Sequence, residues 1–195
     1  VLSGWFRIEW LAAFFRAVAR RDPAARFEVV TRDDPETVRA RLDPRGELAN
    51  LSIFASAAED VHEAIRRQST SAMFYAGGET SELGRSPTRM AEILGCGIPV
   101  VVNEGVGDVA RIVRRYRVGV VAEAGTDAAM DAAVAELEGL RQDPDLARRC
   151  RQAAEEVFSL DRGTEAYRQL YAEILGQENG IAHESAQAAK PHAHG

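Results

Sequence analysis

Lysine is nearly absent: of the 24 Lys and Arg residues, all but Lys190 are arginine. Any phosphate-binding cation in the body of the chain must therefore be an arginine. Cysteine is scarce, with only Cys96 and Cys150. Two cysteines set in two predicted helices give no disulfide framework, and a reducing compartment is expected. No apolar run approaches the ~20 residues of a membrane span. The first helix-like stretch is interrupted by Glu9, Arg16 and Arg20 and is no signal peptide. A net charge of −6 argues against a nucleic-acid surface. The chain opens at Val1 in mid-pattern, as a piece of something longer would. The arginine and alanine bias reads as GC-rich, bacterial coding.

What is present suits a globular protein: 195 residues, 46% hydrophobic and 28% charged, enough for one sizeable core. Residues 8–21 place Trp10, Leu11, Phe14, Phe15 and Val18 at helical spacing, with Asp22-Pro23 as the stop. Strands are expected at 27–31, 51–55, 71–75, 98–102 and 118–122. Helices are expected at 35–41, 59–68, 87–95, 105–115, 127–140, 145–157 and 162–175. Strand alternates with helix, and several strands are apolar without a period of two. That pattern predicts a doubly wound, Rossmann-like α/β domain over residues 1–175, with a parallel sheet covered on both faces. Residues 176–195 carry no large apolar side chain except Ile181 and read as a disordered tail.

Ligands of such a sheet bind beyond the carboxyl ends of the strands, where loops enter helix N-termini. Three loops qualify: 3–5, 77–86 and 103–107. In the second, Ser86 suits an N-cap and Pro87 a first helical position. The amides of Thr88, Arg89 and Met90 then point outward with a partial positive charge that favours a phosphate. Thr88 adds a hydroxyl and Arg89 a full charge. Glu92 stands one turn deeper on the same face, where a carboxylate can accept hydrogen bonds from the two hydroxyls of a ribose. The same residues also fit ordinary capping and a surface i,i+3 ion pair. Gly105 and Gly107, ahead of the next helix, permit close approach of backbone to a ligand.

The run Ser86-Pro87-Thr88-Arg89-Met90-Ala91-Glu92-Ile93-Leu94-Gly95-Cys96-Gly97-Ile98-Pro99-Val100-Val101-Val102-Asn103, with Glu104-Gly105-Val106-Gly107-Asp108 after it, resembles the donor-binding half of GT-B glycosyltransferases. The likeness is to family-four enzymes with an S-P-T-K/R start to this helix. Ser3-Gly4-Trp5-Phe6-Arg7 is similar to the first glycine-containing turn of that C-terminal domain. The resemblance implies a donor domain that transfers a sugar from a nucleotide diphosphate sugar, without a metal or other cofactor. It implies that Glu92 holds the ribose and that Ser86, Thr88 and the adjoining amides hold the diphosphate. Arg7, Arg89 or Arg85 would supply the charge that relatives take from an Arg and a Lys. Gly84 stands where many relatives carry a sugar-binding Glu, so Glu82, or less directly Glu79, would take that role.

The resemblance further implies an N-terminal acceptor domain absent from this chain, which would bring most of the catalytic groups. The acceptor would be a saccharide or lipid-linked, the helix 162–175 would pack toward the missing half, and the chain alone would bind nucleotide but transfer little sugar. A cytoplasmic location, peripheral at the inner face of the membrane, goes with it. Two alternatives stand beside this reading: a nucleotide-sugar epimerase of the same fold, and a non-catalytic nucleotide- or partner-binding module. Asp143-Pro144-Asp145 imitates a D-x-D metal motif but sits where a helix should start. Arg114-Arg115-Tyr116-Arg117 reads as a helix C-terminus, with lipid contact as the alternative. Cys96 reads as a buried small side chain, and no metal site is expected.

Overall fold

A computed structural model of the chain describes residues 5–77, 80–84, 86 and 88–188, without the side chains of 81, 82 and 177–188. Ser3, Gly4, Glu79, Arg85 and Pro87 lie outside the described residues, as does the Glu82 side chain. Two compact units are present, Val1–Glu156 and Val157–Gly195.

The first unit alternates helix and strand as expected. Its order is α1 (Ile8–Arg21), β1 (Phe27–Val30), α2 (Pro35–Leu42), β2 (Leu51–Phe54), a 3-10 turn (Ala58–Asp60), α3 (Val61–Arg66) and β3 (Ser71–Met73). There follow α4 (Thr80–Leu83), α5 (Thr88–Gly95), β4 (Val100–Asn103), α6 (Val109–Tyr116), β5 (Gly119–Ala122), α7 (Asp127–Arg141) and α8 (Leu146–Phe158). The pairings β1–β2, β3–β4 and β4–β5 are all parallel. The strands fall into two sheets, β1–β2 and β3–β4–β5, rather than one continuous sheet. The single-turn α4 lies in a stretch read from sequence as loop. The helix expected from Gly105 begins only at Val109, because Gly105 (φ 82°) and Gly107 (φ 46°) adopt a left-handed backbone that a helix excludes.

Burial follows the strand alternation. Val101, Val120, Ala122 and Phe74 face one core with Phe14, Phe15, Met130, Val134 and Leu137 of α1 and α7, and Phe27 and Val29 of β1 join it. Val100 and Val102 take the other parity along β4 and are fully buried, on the side covered by α5 and α6. An aromatic row stitches α1 down: Phe15 packs on Phe27 at 4.7 Å, and Phe14 meets Phe74 edge-on at 6.0 Å. On the surface, Arg16, Arg20 and Arg21 of α1 reach Asp127, Asp131 and Glu138 of α7. Arg16 and Arg20, one turn apart, meet Asp127 and Asp131, also one turn apart, so the two helices run in the same direction.

Helix starts follow the local chemistry. Asp34 caps α2 through the Thr37 amide and hydroxyl, at 2.8 and 2.7 Å. Asp143 accepts the Asp145 amide at 2.9 Å and Arg149 at 2.7 Å, which makes the acidic pair a helix-start turn for α8. Both bonds hold the Asp143 carboxyl below the usual carboxylate range, the Asp145 amide contributing most.

In the second unit, α9 (Leu160–Ala188) runs past Leu175 into the stretch expected to be tail. No proline interrupts it before Pro191. Tyr167, Leu170, Tyr171, Ile174 and Leu175 are exposed at helical spacing. Among the described residues, no helix is long and apolar enough to cross a membrane.

Candidate functional site

In a parallel β-α-β succession each helix starts at the carboxyl end of the strand before it. α5, between β3 and β4, and α6, between β4 and β5, therefore open at the same edge of the sheet. The entry to α1 is fastened there as well. Arg7 donates its backbone amide to the Phe74 carbonyl at 3.0 Å, the Ala76 amide donates to the Trp5 carbonyl at 2.8 Å, and Phe6 bridges Tyr75.

Arg7 is half-buried at this junction. Its Nε donates to the Tyr75 carbonyl at 3.0 Å, and its guanidinium lies 5.1 Å from the Trp10 ring. Among the described residues its remaining nitrogens face no protein acceptor. Gly77 and Gly105 bring the exits of β3 and β4 into backbone contact: a β-carbon at Gly77 would stand 2.6 Å from the Gly105 carbonyl oxygen. Beyond that contact, no described protein group accepts from the amides of Gly105, Val106, Gly107 and Asp108. Left-handed glycines ahead of a helix, with amides that no described group engages, offer donors of the kind an anion takes.

Asn103 was noted in the sequence only as part of the glycine loop. In the structure it is one of two buried polar residues among those described, with Thr31. Its Oδ1 accepts the Tyr75 amide at 2.8 Å, and its Nδ2 donates to the carbonyls of Tyr75 at 2.9 Å and Glu104 at 2.8 Å. The signal available in the sequence was an asparagine closing an otherwise unbroken run of valines.

On α5 the expected ribose carboxylate, Glu92, is paired with Arg89 at 3.1 Å, and both side chains are about half exposed. Thr88 and Ser86 are exposed near the start of the helix. The structure thus links Arg7 to the Glu104–Gly105 end of the glycine loop through Tyr75 and Asn103, with Gly107 two residues further on, and places Ser86, Thr88, Arg89 and Glu92 along one helix start. Glu82 belongs to α4. The loop is braced on α6 by ion pairs of Glu104 with Arg114 and of Asp108 with Arg111 at 3.0 Å.

Elsewhere, Arg117 ends α6 in a left-handed conformation and offers its carbonyl to Arg149 at 3.2 Å. A groove of about 560 Å³ follows edge strand β5, lined by Arg114, Arg117, Gly119, Glu123 and Asp143 among others. Its charges are of both signs. Cys96 is half-buried rather than buried; Cys150 is fully buried, and burial pushes its thiol up to about 11. His62 is exposed. Among the described residues no three His, Cys, Asp or Glu side chains gather as a metal set.

No protein-family model matches the sequence, and no curated protein does either. Solved structures do match. A glycosyltransferase involved in avilamycin A biosynthesis, AviGT4, superposes with a TM-score of 0.64 at 24% identity, over 86% of this chain and 47% of that one. TarM of S. aureus, solved as a variant with fondaparinux, alpha-GlcNAc-glycerol and UDP, gives 0.68 at 15% identity, over 87% and 34%. WaaG, a glycosyltransferase of lipopolysaccharide biosynthesis, gives 0.58 at 19%, over 82% and 40%. The chain therefore spans between a third and a half of the length of the glycosyltransferase chains it matches. Over that span it shares their fold, the Rossmann-like α/β half of a GT-B architecture.

Proposed function

We propose that this chain is the donor domain of a glycosyltransferase and binds a nucleotide diphosphate sugar at the carboxyl edge of β3 and β4. The observation that carries the reading is the placement of Arg7: a guanidinium held on the Tyr75 carbonyl with no other acceptor among the described residues, linked through that carbonyl and Asn103 to the start of the glycine loop, whose amides no described group engages. Fixed donors of this kind cost no reorganisation when an anion arrives, so they suit a group that gains negative charge as a bond breaks. In glycosyl transfer that group is the departing nucleotide diphosphate.

The remaining roles follow from position. Thr88, Ser86 and Arg89 near the start of α5 serve the diphosphate, together with Ser3, Gly4 and Pro87 of the sequence. Glu92 takes the ribose, and Glu82 the sugar. Charge neutralisation by arginine and backbone amides leaves no step that requires a metal. The exposed row Tyr167, Leu170, Tyr171, Ile174 and Leu175 on α9 is the face for an acceptor-binding domain, which would complete the cleft and supply most catalytic groups. The acceptor is a saccharide or a lipid-linked group, and the setting is cytoplasmic.

Calorimetric titration of UDP, GDP and ADP into the chain, with and without Mg²⁺, tests this. Saturable, Mg²⁺-independent binding of one of them, weakened by Arg7→Ala, is the expected result. Absence of binding by all three at millimolar concentration, repeated with a protein carrying the acceptor half, overturns it.

A further inference from the structure

The register of β3 on β4 sets up a next rung that the backbone does not complete. The Ser71 amide donates to the Pro99 carbonyl and the pairing runs on to Met73–Val102. The same ladder would next carry the Tyr75 amide to the Asn103 carbonyl. It goes to the Asn103 side chain instead, at 2.8 Å. The amide orientation is dictated by its partners, since the Tyr75 N–H needs an acceptor and the Tyr75 and Glu104 carbonyls need donors. Asn103 therefore extends the sheet by one rung in side-chain form, at the point where the two strand exits separate into loops.

Two consequences bear on anion binding. The Tyr75 carbonyl receives Asn103 Nδ2 at 2.9 Å and Arg7 Nε at 3.0 Å. With both lone pairs engaged, the carbonyl direction is fixed, and with it the guanidinium bound to it. The Glu104 carbonyl is turned toward Asn103 at 2.8 Å. Because a trans peptide sets its N–H opposite its C=O, the Gly105 N–H is aimed away from Asn103. One buried side chain thus orients both the Arg7 cation and the first open amide of the glycine loop.

We infer that Asn103 is a positioning residue for phosphate recognition: through the Tyr75 and Glu104 carbonyls it aligns Arg7 and the Gly105 amide on one diphosphate. The inference rests on the donor-site reading above and adds to it the device that preorganises the site. Asn103→Asp is the sharpest variant. It is isosteric and still accepts the Tyr75 amide, but it presents acceptors to two carbonyls and draws the Arg7 guanidinium inward.

The test is binding of inorganic pyrophosphate to the whole chain in a cycle of wild type, Arg7→Ala, Asn103→Asp and the double variant, with UDP, GDP and ADP titrated into wild type in parallel. Each single variant is expected to weaken pyrophosphate at least tenfold, and the double variant no more than twofold beyond the weaker single. A residue that only stabilises the fold would lower the urea midpoint while its effect multiplied with that of Arg7→Ala, and that multiplication would overturn the inference. If Asn103→Asp does not fold, Asn103→Ser, which keeps one donor and one acceptor, replaces it in the cycle with the same criterion. Wild type that binds a nucleoside diphosphate while the two effects multiply removes only the role of Asn103. Wild type that binds neither pyrophosphate nor any nucleoside diphosphate removes the donor site as well.

Discussion

Arg89 Nε lies 3.1 Å from Glu92 Oε2, so the carboxylate expected to meet a ribose is held by a neighbour one turn away on the same helix. Both side chains are about half exposed. Exposed pairs of this kind contribute about 0–1 kcal/mol to folding. A nucleotide that offered Glu92 two hydroxyls would therefore displace little.

The first prediction separates the two uses of the carboxylate. Glu92→Ala is expected to change stability by less than about 1 kcal/mol. It should nonetheless weaken the best-binding nucleoside diphosphate by about tenfold or more, which is ~1.4 kcal/mol. Urea unfolding and calorimetric titration on the same sample measure both quantities. A loss of stability without a loss of affinity would return Glu92 to being half of a surface ion pair.

Gly119 has no room for a side chain. A β-carbon there would stand 1.9 Å from the Val100 carbonyl oxygen, at the first rung of the β4–β5 pairing. Backbone cannot yield as a flexible side chain can, so Gly119→Ala must spread the strands. The expected cost is about 3 kcal/mol or failure to fold, read as a lower urea midpoint. Gly139, with nothing within 4 Å of its β-carbon position, is the control; Gly139→Ala inside α7 should be neutral or stabilising by up to ~1 kcal/mol.

These two sites also show what could be read from the residues alone. The parallel α/β alternation was legible because Val100, Val101 and Val102 are apolar on both strand faces and Phe14, Phe15 and Val18 recur at helical spacing. Gly105 and Gly107 announced a loop ahead of a helix. Their left-handed conformation, which delays α6 to Val109, needed the backbone. The tie from Asn103 to Tyr75 joins positions far apart in sequence, and no local pattern encodes it. The break between β1–β2 and β3–β4–β5 was equally invisible, since pairing partners depend on the whole layer. The extension of α9 to Ala188 escaped the reading because apolar periodicity ends before the helix does.

A contrast between charge and packing can be measured where α1 meets α7. Arg20 and Asp131 are bonded at 2.8 Å, but each is 43% exposed. Phe14 is 3% exposed and packed against Phe74. The Arg20–Asp131 coupling in a double-mutant cycle is expected below about 1 kcal/mol, shrinking further in 1 M salt. Phe14→Ala is expected to cost about 3–5 kcal/mol at any ionic strength. A coupling that exceeded the cost of the phenylalanine would reverse the ranking.

Asp143 gives a pH dependence of defined sign. The Asp145 amide and Arg149 favour its charged form in the folded chain and lower its pKa from 3.8. On acidification the unfolded chain takes up that proton first. The stabilisation is therefore complete above the unfolded carboxylate range and lost as pH falls through the lowered native value. Asp143→Asn should be less stable than wild type at neutral pH, with the gap closing at an acid pH below the lowered native value. Urea midpoints at the two pH values measure it, and a gap independent of pH would assign the effect to shape rather than charge.

The two thiols should react at very different rates. The thiolate is the nucleophile toward disulfide reagents, so reactivity follows both exposure and pKa. Cys150 is fully buried on α8, and burial raises its thiol to about 11. At pH 8 only about 0.1% of such a thiol is ionised, and none of it is accessible without opening of the helix. Cys96 is half-buried just past the end of α5, with its sulfur toward the His62 carbonyl. A disulfide reagent at pH 8 should therefore label one thiol quickly and the second only on the timescale of unfolding. Mass spectrometry of the labelled peptide should place the fast adduct on Cys96.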